Sequence, residues 1–137
     1  LDLLLDEGLE AAFERHRLLA QAVRNAVEVW CQGGGVEFNI IEPSQRANSV
    51  TTIVLPEGQD AQPLLDYCRE RCGVVLGLGL GDLGGRGFRI AHMGHVNAPM
   101  ILGTLAVVET ALAALDIPHG RGGVQAAIDG LAEAVKP

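Results

Sequence analysis

At 137 residues the chain is sized for one domain with a proper core, and 48% hydrophobic with 20% charged residues is ordinary for a water-soluble fold. A net charge of −7 at pH 7 argues against a nucleic-acid partner, which asks for a basic face. No apolar run reaches membrane-span length and no secretory n-region and h-region are present, so neither a membrane partner nor export is expected.

Leu1 to about Trp30 reads as one long amphipathic helix. Leu5, Leu9, Phe13, His16, Leu19, Val23, Ala26 or Val27, and Trp30 form one stripe; Glu10, Glu14, Arg17, Gln21, Arg24 and Glu28 lie opposite. Gly33-Gly34-Gly35 ends it. Val36 to Ile41 is a short strand, Pro43 to Asn48 a loop, and Ser49 to Leu55 a β-branched strand. Asp60 can cap a helix over about Ala61 to Cys72, with Pro63 in its first turn and Gly73 closing it. Cys68 and Cys72 share a face of that helix and read as core filling. With Cys31 they make an odd count without framework spacing, which fits a reducing, cytoplasmic setting.

Val74 to Leu76 opens the next strand, and Phe88 to Ala91 forms another after a glycine-rich turn. Asn97 caps a helix over about Ala98 to Leu115, with Pro99 in its first turn. That helix carries one charge before its end, Glu109, and its apolar residues point in every direction, so it is expected to be buried all round, by the sheet on one side and by the last helix, a partner chain or a missing domain on the rest. The loop His119 to Gly123 leads to a last helix, about Val124 to Ala134, with Ala127, Ile128 and Leu131 on one face. The order α-β-β-α-β-β-α-α predicts an α+β fold. It is a two-layer α/β sandwich with a helix hairpin on one face of a small, mainly antiparallel sheet.

Chemistry concentrates in Val74 to Asn97. Glycines at 77, 79, 81, 84, 85 and 87 demand sharp turning or close backbone approach. Alternation puts Phe88 and Ile90 on one face of their strand and Arg89 on the other. A guanidinium in mid-strand needs an anionic partner, and its planar fork suits a carboxylate or phosphate held by two bonds. Two readings fit: a salt bridge to one of the chain's own acids, or an anionic ligand. Gly79 to Gly84 spells GxGxxG, but a strand follows instead of the helix a dinucleotide site requires. His92, His95 and His119 lack the spacing and companions of a zinc site, so no metal is expected. No nucleophile elbow or Gly-Lys-Ser/Thr phosphate loop is present. Arg121 before the last helix could meet an anion at its N-terminus or stand as a solvated loop residue. Arg86 is a second arginine that could reach out of the glycine turn.

The run Gly77 to Asn97, GLGLGDLGGRGFRIAHMGHVN, resembles the C-terminal part of class V aminotransferases, pyridoxal-phosphate enzymes of fold type I. The serine–glyoxylate and alanine–glyoxylate branch is the nearest in pattern, with its glycine-rich turn, F-R-I-G-H-x-G and a nearby Asn. Thr51 to Gly58 and Leu4 to Arg17 share the likeness, and Ala91 stands where the branch often has Gly. The resemblance implies that Arg89 binds the substrate α-carboxylate and that His92 lines the same pocket. It implies small amino-acid and 2-oxo-acid substrates, pyridoxal phosphate as cofactor and a homodimeric parent. The family's Schiff-base lysine belongs to a large domain upstream. The chain begins at Leu1, already inside a helical pattern, and its one lysine is Lys136. It is therefore expected to be a single domain, residues 1–137, lacking the cofactor-binding domain and inactive alone. The competing expectation is a non-catalytic α+β interaction module, with helix 98–115 as its dimer surface and Arg89 in a salt bridge.

Overall fold

The structure is a computed structural model that describes residues 1–136. Its elements are α1 (Asp2–Glu7), α2 (Leu9–Cys31), β1 (Glu37–Phe38), β2 (Val50–Val54), α3 (Gln62–Cys72), β3 (Gly77–Leu78), β4 (Gly87–Ala91), α4 (Ala98–Ala114) and α5 (Gly123–Ala134). Short 3-10 turns lie at Pro43–Gln45 and Gly81–Leu83. The four strands run in the order β1-β2-β4-β3, every pair antiparallel, giving the expected α+β fold.

The first helix is not continuous. Gly8 takes φ 86° and ψ 142°, a backbone geometry that side chains resist, and it separates α1 from α2. Beyond that break α2 buries Ala12, Leu19, Ala22, Val23, Ala26, Val27 and Trp30, whereas Leu5, Leu9 and Phe13 of the expected stripe are exposed. The third strand starts at Gly77, not at Val74; Val75 is exposed and Leu76 turns into the core.

One face of the sheet makes the core. Phe38, Ile53, Phe88 and Ile90 meet Val23, Val27 and Trp30 of α2, Leu64 of α3, Leu105, Val108 and Leu112 of α4, and Ala127 of α5. α2 packs on β1 and β2 and runs beside α4 and α5. Each fully buried large side chain contributes about 1.5–3 kcal/mol, so these contacts dominate the stability of the layer. Asn97 caps α4 as expected, whereas the N-cap of α3 is Ala61 and Asp60 stands one residue ahead of it. Asn97 Oδ1 accepts from the Met100 N–H at 3.0 Å, and Asp60 Oδ1 accepts from Gln62 at 2.9 Å.

α4 is not buried all round. Ile101, Leu105, Val108, Ala111 and Leu112 are inside, but Gly103, Ala106, Thr110, Ala113 and Ala114 form an open face. Within this chain the sheet and α5 leave that face uncovered, together with Met100 near the start of the helix. Cys68 is buried, and burial pushes its thiol up to about 11, but Cys72 is exposed beyond the core and Cys31 is half-buried. Only one of the pair on α3 therefore fills the core.

Candidate functional site

β4 places Arg89 on the sheet face opposite Phe88 and Ile90, with Thr52 of β2 and Gly77 of β3 as its cross-strand neighbours. Its Nε donates to the Leu78 carbonyl at 2.7 Å. Its terminal nitrogens make no hydrogen bond to another described residue, and no described carboxylate lies within ion-pair distance. The salt-bridge reading of Arg89 therefore finds no acid among the described residues. Arg89 is half-buried as a residue, and both terminal nitrogens of its guanidinium are left free to face an anion.

The glycine-rich turn holds this arginine in place. Gly79 N donates to Gly87 O at 2.8 Å and closes a β3–β4 hairpin around the 3-10 turn Gly81–Leu83. A Cβ on Gly79 would stand 2.2 Å from the Leu83 carbonyl, so the turn can fold back on itself only without one. No α-helix starts in the GxGxxG segment, which holds only the 3-10 turn before β4 resumes. Arg86 turns back to the Leu55 carbonyl at 3.2 Å instead of reaching outward.

His92 is not brought to Arg89. Counting on from Phe88 and Ile90, it falls on the core face and is fully buried. Nδ1 donates to the Asn48 carbonyl at 3.1 Å, so the neutral ring accepts the Thr51 hydroxyl on Nε2 at 2.9 Å. Burial pulls its pKa down to about 4, against the opposing pull of the Asn48 bond, with Arg24 and His16 adding a smaller push in the same direction as burial. Such a ring is a neutral bracket between the start of β2 and the end of β4.

Three further arrangements escaped the sequence reading. Arg15 grips both Glu7 oxygens at 2.6 and 2.7 Å while donating to the carbonyls of Gly94 and Val96 at 2.9 and 2.8 Å. His16 Nε2 accepts the Gly94 N–H at 3.0 Å, so the loop after β4 is tied to α2 by two adjacent side chains. Arg24 donates to the carbonyls of Arg46 and Ala47 and to Asn48 Oδ1, supporting the loop that meets His92.

The N-terminus of α5 offers no open anion site. Glu109 fills it, accepting from Gly122 N at 3.0 Å and Val124 N at 2.9 Å, and Arg121 stands exposed beside it. Among the described residues, no three His, Cys, Asp or Glu side chains converge as metal ligands, and no helix is long and apolar enough to cross a membrane. His119 turns Nδ1 to the Ile117 carbonyl at 2.8 Å.

No family model matches the chain. It is similar to the L-aspartate–glyoxylate aminotransferase of Paracoccus denitrificans, with 38% identity over 90% of this chain and 31% of that protein. It is similar also to the serine–glyoxylate aminotransferase of Arabidopsis thaliana, with 38% identity over 93% of this chain and 31% of the relative. Among solved structures, the pyridoxamine–pyruvate aminotransferase of Mesorhizobium loti superposes with a TM-score of 0.87 at 30% identity, covering 98% of this chain and 34% of that one. The ureidoglycine–glyoxylate aminotransferase of Bacillus subtilis gives 0.82 at 29% identity over 94% of this chain and 33% of that one. The chain thus spans about a third of the length of the relatives it matches. The identity over nine-tenths of the chain and the superposition on these structures agree in one direction: the chain belongs to the class V aminotransferases.

Proposed function

We propose that the chain is the small C-terminal domain of a pyridoxal-phosphate aminotransferase that moves an amino group from a small amino acid, serine or alanine, to glyoxylate or another 2-oxo acid. The observation that carries this reading is Arg89, a half-buried mid-strand arginine whose terminal nitrogens meet no acid among the described residues. In this reading Arg89 holds the α-carboxylate of the amino acid and of the 2-oxo acid in turn. A fixed carboxylate fixes the direction of the Cα–H bond, so the contribution is one of orientation. The names of the relatives, which pair glyoxylate with aspartate or serine, support substrates of this size.

The residues of this chain do not make a site for the cofactor. Its one lysine, Lys136, follows α5 and pairs with the neighbouring Glu133 on the surface, far along the chain from Arg89. Pyridoxal phosphate, which supplies the electron sink when bound, would be held by residues of a larger parent, and this chain by itself is expected to be inactive. His92 enters the proposal as a buried strut, not as a pocket residue.

The test is Arg89→Lys in the full-length protein, followed through both half-reactions. Lysine keeps the charge but loses the two-pronged fork, so kcat/KM is expected to fall by about tenfold or more for amino acid and 2-oxo acid alike. Unchanged kinetics in both half-reactions would sink the proposal.

A further inference from the structure

We infer that Gly77 is a positioning residue for Arg89 and that, with the Leu78 carbonyl, it commits the guanidinium to grip a carboxylate end-on through its two Nη groups. This rests on the carboxylate role proposed for Arg89. Gly77 and Arg89 face each other across β3 and β4. Facing residues in an antiparallel pair ordinarily keep their Cβ atoms about 4.5–5.5 Å apart. A Cβ on Gly77 would stand 3.2 Å from Arg89 Cβ, 3.3 Å from its Nε and 3.5 Å from Nη2. The arginine stem and one edge of its guanidinium therefore lie against the volume that a side chain at 77 would occupy.

The next residue fixes the rotation of the group. Arg89 Nε donates to the Leu78 carbonyl at 2.7 Å. A guanidinium offers two kinds of two-pronged edge: Nε with one Nη, or both Nη together. The Leu78 bond occupies Nε and so closes the first. An incoming carboxylate that makes two parallel bonds meets Nη1 and Nη2. The direction of the grip is thus written into the backbone of β3, not into a side-chain partner. A branched side chain at 77 lifts the stem, breaks the Nε bond and leaves the guanidinium to be ordered again at each binding event.

The experiment compares Gly77→Ala, Gly77→Val, Arg89→Lys and the double variants in the full-length protein, with kinetics of both half-reactions, cofactor absorbance and thermal unfolding. Gly77→Val is expected to raise KM for amino acid and 2-oxo acid by about tenfold with kcat within about twofold, at unchanged cofactor loading. Gly77→Ala displaces the stem less and is expected to show the same split at about threefold. On an Arg89→Lys background either substitution is expected to add less than about twofold, because the lysine has no Nε bond to lose. Full additivity, or Gly77 variants with unaltered KM beside an impaired Arg89→Lys, would overturn the role of Gly77 and leave the carboxylate reading standing. An unimpaired Arg89→Lys would instead overturn that reading and this inference with it. Should Gly77→Val fail to fold, the Gly77→Ala cycle decides alone.

Discussion

Glu109 Oε2 accepts the indole N–H of Trp30 at 3.0 Å, joining α4 to the fully buried ring of α2. The same carboxylate accepts the first free N–H groups of α5 from Gly122 and Val124. One side chain thus satisfies three donors on two other helices, which explains why an otherwise uncharged helix carries an acid at this turn. Glu109→Ala strands the indole and both amides and is expected to cost about 2–4 kcal/mol in urea denaturation; Glu109→Gln keeps an acceptor and should cost about half. Burial pushes this carboxyl up, but the bonds from Trp30, Val124 and Gly122 outweigh it and hold the pKa below 4.5. The stabilisation is therefore complete above pH 4.5 and is lost as pH falls through the lower, folded value. In Glu109→Gln that acid-range loss should shrink.

His92 predicts a separate pH window. Its folded pKa lies at about 4, below the ordinary 6.5, so between those values the unfolded chain binds a proton that the native ring refuses. Stability is full above pH 6.5 and declines as pH falls toward 4. The loss between pH 6.5 and 5 is on the order of 2 kcal/mol. Urea midpoints at pH 7.5 and 5 measure it. His92→Gln costs stability at both pH values, but it should flatten the difference between them; an undiminished difference would assign the titration to another group.

The placement of Arg89 was legible because strand alternation is a local rule: Phe88 and Ile90 on one side leave Arg89 on the other. The same count carried two residues further puts His92 with Phe88 and Ile90, so the signal against a shared pocket was present in the sequence. The break at Gly8 had a local signal as well, a glycine inside a helical pattern, but the reading of one continuous helix passed over it. The ties of Arg15 to Gly94 and Val96, and of Glu109 to Trp30, were not legible. They join residues roughly eighty positions apart and depend on how helices cross, which no periodicity encodes. Which residues of α4 face the sheet and which stay open within this chain could not be read from its sequence, because an all-apolar helix has no polar face to mark the side turned away.

Two glycines on helices predict opposite signs. A Cβ on Gly123 would stand 2.2 Å from Trp30 Nε1 and 2.9 Å from the Ala26 carbonyl, so the start of α5 can lie on α2 only without one. Gly123→Ala must push the helices apart and disturb the Trp30–Glu109 bond, a loss of about 1–3 kcal/mol. Gly103 sits in the middle of α4 with nothing within 4 Å of an added Cβ. Gly103→Ala there reduces the conformational entropy lost on folding and is expected to stabilise by about 0.5–1 kcal/mol. Thermal melts of the two variants read both signs in one experiment.

Arg15 makes the last prediction one of local order, because it is shared between two mobile-prone segments. Its bond to Glu7 secures α1, a helix of six residues with no buried side chain. Its bonds to Gly94 and Val96 secure the loop after β4, which carries no regular structure of its own. A helix that short does not hold itself together in water, so α1 depends on this one tether and the backbone cap at Gly8. Glu7→Gln should therefore raise amide hydrogen exchange in residues 2–7 and leave the loop 93–97 protected. Arg15→Gln should raise exchange in both segments and expose the Gly8 junction to limited proteolysis. High salt should reproduce the Glu7→Gln pattern in the wild-type protein, since it screens the ion pair but leaves the guanidinium–carbonyl bonds in place. Equal loosening of both segments by Glu7→Gln would show that the loop is held through α1 and not by Arg15 itself.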